Sequence, residues 1–217
     1  MALAIFDLDN TLLGGDSDHA WGEFLCEQGI VDTDEYRHAN DHFYQCYQQG
    51  TLDINEFLEF ALRPLAQLGM NQLQTLHQQF MQQKVAPMML EKAEALLQKH
   101  RDQGDFLLII TATNRFVTGP IAAKLGIDAL LATEPEQNAG GYTGKVTGTP
   151  CFQHGKVTRL HEWLDETQHS LDGSYFYSDS INDLPLLEQV TFPVAVDPDA
   201  KLQDTATSRG WPVISLR

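Results

Sequence analysis

The chain has 217 residues, 42% of them hydrophobic, enough for one well-buried core with a smaller attached module but short of two full domains. Its formal net charge of −16 repels polyanions, which argues against sequence-independent binding of nucleic acid or anionic lipid. The three cysteines, Cys26, Cys46 and Cys151, lack C-x-x-C spacing, so neither a disulfide framework nor a zinc site is expected. With no basic, apolar leader and no apolar run of membrane length, the expectation is a cytoplasmic protein without a membrane partner.

In chain order, Leu3–Leu8 is a short apolar run ending in acids, as in a buried parallel strand. Gly14 and Gly15 break it. From Asp16 to Val85 the signals are helical. Asp32 with Glu35 and Asp53 with Glu56 have the spacing of capping boxes. Phe57, Phe60, Ala61, Leu65 and Leu68 keep helical spacing, as do Leu73, Leu76 and Phe80. This segment is expected to form four helices, one of them kinked at Pro64, with its many glutamines on a solvated face.

After Pro87 strands and helices alternate. The pattern predicts a helix from Met89 to His100, a strand over Phe106–Ile110 and a helix ending at Gly126. A strand at Ala129–Ala132 and a hairpin within Asn138–Gly148 follow. Next come a helix around Val157–Leu164, a strand at Ser174–Tyr177, a helix over Leu184–Leu187 and strands at Phe192–Val196 and Val213–Leu216. Such repeats imply an α/β fold, a Rossmann-like parallel sheet with ligands at the carboxyl ends of its strands.

Four places at expected strand ends or helix starts hold polar residues suited to chemistry. Asp7-Leu8-Asp9-Asn10-Thr11 presents two carboxylates that point different ways, so one can attack phosphorus while the other handles a proton. Thr111-Ala112-Thr113-Asn114 is read as opening a helix, where a hydroxyl and free N–H groups suit a phosphate. Lys156 follows Gly155 early in a helix. Ser178-Asp179-Ser180-Ile181-Asn182-Asp183 sets two carboxylates four apart. Each motif alone is weak, and their order along the chain is what makes them informative.

Together these residues resemble the haloacid dehalogenase superfamily, in its phosphoserine-phosphatase-like branch, nearly end to end. Phe6-Asp7-Leu8-Asp9-Asn10-Thr11-Leu12 is similar to the family's first motif, Thr111 to its second, Lys156 to its third and Asp179–Asp183 to its fourth. The resemblance implies a catalytic core formed by 1–14 and 86–217, with 15–85 as a helical cap inserted between the first two motifs. Carried over, Asp7 is the nucleophile that forms an aspartyl-phosphate, and Asp9 is the general acid and then base. Mg²⁺ is implied as cofactor, held by Asp7, Asp179 and the Asp9 carbonyl, with Asp183 orienting a metal-bound water or Lys156. Thr111, Ala112, Thr113 and Lys156 would hold the phosphoryl oxygens, and Asn182 is a further phosphate contact.

An acid at position 9 favours phosphomonoester hydrolysis over dehalogenation or ion pumping; a phosphotransferase or mutase, and a binding protein that kept the fold, remain as alternatives. The expected partner is a small phosphorylated metabolite. In phosphoserine phosphatases of the branch an acid nine residues after the nucleophile binds the substrate amine, and Asp16 stands there. The cap Arg expected to bind the serine carboxylate aligns with Ala61, and Arg63 lies about 200° around a helix from it. The branch also includes histidinol-phosphate phosphatases, whose substrate has an amine and an imidazole but no carboxylate. Histidinol phosphate is therefore the preferred substrate over phosphoserine, with His19 and Trp21 as candidate ring contacts.

Overall fold

The computed structural model describes residues 2–217. Strand β1 (Leu3–Phe6) leads through a loop into α1 (Ser17–Glu27), α2 (Thr33–Gln49), α3 (Ile54–Gln67) and α4 (Met70–Phe80). A π-helical turn (Met81–Val85) and the short α5 (Ala86–Met88) return the chain to α6 (Glu91–Asp102). Then come β2 (Phe106–Asn114), α7 (Arg115–Lys124), β3 (Ala129–Asn138), β4 (Gly141–Thr147), α8 (His154–Thr167) and β5 (Tyr175–Ser178). A 3-10 turn (Ile181–Asp183), α9 (Leu184–Leu187), β6 (Phe192–Val196), α10 (Ala200–Arg209) and β7 (Val213–Ile214) complete it.

The strands form one sheet in the order β4-β3-β2-β1-β5-β6-β7. Every pairing is parallel except β3 with β4. Side chains of a strand alternate between faces. Accordingly Ala4 and Phe6 of β1 and Leu107 and Ile109 of β2 pack on one face with α1, α4, α6 and α7. Leu3, Ile5, Leu108 and Ile110 pack on the other with α8, α9 and α10. β1 is central and buried on both faces, which explains its unbroken apolar run.

Four helices occupy the expected insert, and Asp32 and Asp53 are N-caps accepting from the N–H groups of Glu35 and of Asn55 and Glu56. The insert is not energetically uniform. Trp21, Phe24, Leu62, Leu73 and Phe80 of α1, α3 and α4 join the core cluster on the first sheet face. In contrast α2 buries only Tyr36 and Asn40 of its 17 residues. Its docking depends on a glycine: a Cβ at Gly22 of α1 would lie 2.6 Å from the Asn40 amide. That amide donates to the His19 carbonyl at 2.9 Å.

Three sequence expectations need correcting. β2 runs on to Asn114 through a break in register after Ile110, so Thr111–Thr113 belong to the strand and Asn114 is the N-cap of α7. The hairpin is built from the far end of β3, which reaches Asn138 and exchanges its parallel neighbour for the antiparallel β4. α10 was not expected, since only Leu202 and Ala206 of its ten residues are buried; one apolar contact per turn leaves little periodic signal.

Phe80 is fully buried, with its ring centroid 5.2 Å from Trp21 and 5.8 Å from Phe24. Phe80→Ala should cost about 3–5 kcal/mol of stability through the lost transfer energy and the cavity. Urea denaturation monitored by circular dichroism measures this, and a loss below about 1 kcal/mol would show that α4 is not part of the core.

Candidate active site

β1 delivers Asp7 to the carboxyl edge of the sheet, where its N–H donates to the Tyr177 carbonyl of β5 at 2.9 Å. The chain then turns sharply: Asn10 has φ 58°, a left-handed value that Asn tolerates better than most residues. Leu12 and Leu13 both donate back to the Leu8 carbonyl. This loop sets Asp7 and Asp9 side by side while sending their side chains to different partners.

The Asp7 carboxylate meets the Lys156 ammonium at 2.7 Å, and the same ammonium meets Asp183 at 2.7 Å. All three groups are buried. Ser178 donates its hydroxyl to Asp183 at 2.7 Å and so fixes the far end of the chain of contacts. Burial by itself would lower the Lys156 pKa, yet the charges of Asp183 and Asp7 overturn it and hold the ammonium charged. Lys156 reaches this place in the tightly wound first turn of α8. A Cβ at Gly155 would fall 2.0 Å from the Pro150 carbonyl oxygen, so the turn accepts only glycine.

Asp9 faces elsewhere. It accepts from the Ser17 N–H at the start of α1 (2.6 Å) and from the Thr113 hydroxyl (2.7 Å). Burial, together with the Asp16 charge, pushes its pKa up to about 7. Burial likewise pushes Asp7 up to about 7 against the pull of Lys156. Asp179 lies within 3.2 Å of the Thr11 hydroxyl, which is also 3.3 Å from Asp7. Burial and the charges of Asp7 and Asp183 drive Asp179 well above the usual carboxylate range.

One ammonium thus stands among three carboxylates, Asp7, Asp179 and Asp183. The excess negative charge and the hard oxygen donors fit a divalent cation such as Mg²⁺.

Above these groups lies a cavity floored by Asp7, Asp9 and Thr111–Thr113. Asp16, Asp18 and His19 at the start of α1 form one wall. Phe43, Tyr44 and Tyr47 of α2 form the roof, with Ile54 and Phe57 of α3 beside them. Among the described residues no Lys or Arg lines it. Burial and the surrounding carboxylates push the Tyr47 phenol well above its ordinary value, so it stays a hydrogen-bond donor.

Several expected residues behave differently here. Asn182 is committed elsewhere: its amide donates to the Tyr47 carbonyl at the end of α2 (3.1 Å) and accepts from Gln153 (3.1 Å). It ties α2 to the core instead of facing the phosphate position. The Thr113 N–H donates to the Thr111 hydroxyl at 3.2 Å, so it is not a free phosphate donor in this arrangement. Ala112 does line the cavity floor. Trp21 is 2% exposed, packs among Phe24, Phe80 and Phe116 and does not line the cavity. His19 lines the cavity but pairs with Asp41 at 2.8 Å. Ala61 is buried, and Arg63 lies over the Phe60 ring on the outer side of the insert, away from the cavity. The roof and Asp18 were not anticipated, although Asn40, Phe43, Tyr44 and Tyr47 share one face of α2 at helical spacing.

The family model for haloacid dehalogenase-like hydrolases matches residues 4–188. The chain belongs to that family. It is 46% identical to a histidinol-phosphatase from Neisseria meningitidis serogroup C, over 99% of each chain. A crystal structure of a protein of unknown function from Bordetella pertussis Tohama I superposes with a TM-score of 0.94 at 43% identity, over 100% of this chain and 99% of that one. A phospho-aspartyl intermediate analogue of phosphoserine phosphatase superposes with a TM-score of 0.73 at 16% identity, over 100% and 93%. At that identity the likeness concerns the fold. The present chain is a phosphatase of the haloacid dehalogenase-like family.

Lys156→Met strands two buried carboxylates and should cost about 3–5 kcal/mol. Adding Asp183→Asn should recover part of that loss, because one of the two is removed. A double-mutant cycle by chemical denaturation checks this, and strictly additive losses would mean that Lys156 and Asp183 are not coupled.

Proposed function

We propose that this phosphatase hydrolyses the monoester of a small cationic amino alcohol, with histidinol phosphate as its substrate, through an aspartyl-phosphate on Asp7. The observation that carries this reading is the cavity itself: acids and aromatic rings surround the space over Asp7, and among the described residues no Lys or Arg lines it, its one imidazole, His19, being turned to Asp41. An ammonium finds carboxylate partners there; a substrate carboxylate would meet those acids without a Lys or Arg to pair with, Ala61 being buried and Arg63 outside. The similarity to a protein named histidinol-phosphatase supports the same substrate.

In this mechanism the Asp7 carboxylate attacks phosphorus while Lys156 and the Thr111 hydroxyl hold phosphoryl oxygens as charge develops. Asp9, held by Ser17 and Thr113, gives a proton to the departing alkoxide. It then takes one from the water that attacks the phosphorylated Asp7. Asp183 keeps Lys156 aimed at the reacting centre. Mg²⁺ would be held by the carboxylates of Asp7 and Asp179 and the Asp9 carbonyl, and when bound it neutralises phosphoryl charge. Asp16 receives the substrate amine, a charge-assisted contact of about 1.5–3 kcal/mol.

Asp7→Asn should abolish phosphate release and leave the thermal midpoint at or above that of the wild type. The amide cannot attack phosphorus, while Lys156 keeps Asp183 and the repulsion with Asp179 disappears. Substantial residual turnover in a folded Asp7→Asn protein would rule out covalent catalysis at this residue.

Substrate choice is tested by kcat/KM for histidinol phosphate, phosphoserine and a sugar phosphate, in wild type and Asp16→Ala. The wild type should favour histidinol phosphate, and Asp16→Ala should erase roughly 10- to 100-fold of that preference. Phosphoserine winning in the wild type would overturn the assignment.

A further inference from the structure

The floor and the near wall of the cavity account for phosphate and amine, but Asp18 has no part in either. It projects from the first turn of α1 into the same cavity, half-buried. The neighbouring acid, Asp16, is the N-cap of α1 and already accepts from the His19 N–H at 2.8 Å. His19, the nearest candidate cation on the same helix, is turned to Asp41 at 2.8 Å. Among the described residues no side chain forms an ion pair with Asp18. The charges that act on it are those of Asp16 and Asp9, both of its own sign. A partly desolvated carboxylate in such company is unfavourable, and the N-terminus of α1 offsets only part of that cost.

Asp16 is the N-cap of α1, where the chain arrives from the Asp7–Thr11 loop, and Asp18 follows it in the first turn of the helix, so the two acids stand in succession along one wall. Phe43 and Phe57, whose rings are 5.5 Å apart in a T-shaped pair, line the same cavity.

Resting on the cationic-substrate reading above, we infer that Asp18 is a second recognition carboxylate. It accepts from an N–H-bearing group that lies beyond the substrate amine, while Asp16 takes the amine itself. The substrate class is an alcohol phosphate with an ammonium near the ester and a flat nitrogen heterocycle farther out, packed against the aromatic wall. Two acids in succession along one wall discriminate for such a molecule over a simple amine phosphate, which engages only the first.

The test uses three esters on the full-length protein: histidinol phosphate, ethanolamine phosphate and p-nitrophenyl phosphate. In Asp18→Asn the kcat/KM ratio of histidinol phosphate to ethanolamine phosphate should fall roughly 10- to 100-fold, mainly through KM. Asp18→Glu should restore part of it. Asp16→Asn should instead lower the ratio of ethanolamine phosphate to p-nitrophenyl phosphate. Thermal melting of each variant monitors folding, and the ratios cancel any shared loss of active protein. An unchanged histidinol-to-ethanolamine ratio in Asp18→Asn overturns the proposal, whether or not overall rates fall. If the wild type favours both amines over the nitrophenyl ester but gains nothing from the ring, Asp18 is not a recognition residue and the cationic reading stands. If the wild type does not favour the amines at all, the cationic reading falls and the proposal falls with it.

Discussion

The interaction on which the rest depends is the buried Lys156 ammonium, held between Asp7 and Asp183 at 2.7 Å from each. A charge taken out of water is costly unless it is paired and hydrogen-bonded. Here the pairing connects residues 149 apart in the chain. It joins the end of β1, the first turn of α8 and the turn after β5 into one edge. The parallel sheet makes this possible by bringing the carboxyl ends of β1, β2 and β5 to the same side. The glycine at 155 is a consequence: α8 must start so close to Pro150 that no Cβ fits.

That edge also creates a surplus of negative charge that the fold does not resolve by itself. Asp179 has the Thr11 hydroxyl beside it and no ammonium of its own. Asp9 is kept by an N–H and a hydroxyl, both neutral. Such a site is poised for positive charge, first a hard cation at the carboxylates and then a substrate ammonium in the cavity above. The acidity of the whole chain therefore has a local meaning at the α1 wall, where Asp16 and Asp18 face the cavity, whereas most other acids of the insert sit on solvated helix faces.

The helical insert serves this site unevenly. α1, α3 and α4 extend the sheet's own core, so the helix behind the Asp16 and Asp18 wall packs into the same cluster as β1. α2 closes the roof with Phe43, Tyr44 and Tyr47 but buries little of itself. Polar contacts hold its carboxyl end: Asn182 donates to the Tyr47 carbonyl and Lys201 to the Gln49 carbonyl. Elements secured in this way belong to the less stable part of a fold.

The alternation of buried strands with amphipathic helices was readable from residue order alone, because burial on two sheet faces imposes continuous apolar runs and helix packing imposes a period near 3.6. The Asp7–Thr11 and Asp179–Asp183 motifs were equally legible, since chemistry at strand ends needs those residues at those spacings. Tertiary structure decided what depends on contacts distant in sequence. It turned Asn182 toward α2, buried Trp21, kept Thr111–Thr113 in a strand and left Arg63 outside. It also brought Asp18 and the ring face of α2 to the cavity that Asp7 floors. A helix acid reads alike in sequence whether it meets water or a cavity, and only the packing of α1 against α2, set by Gly22 and Asn40, distinguishes the two.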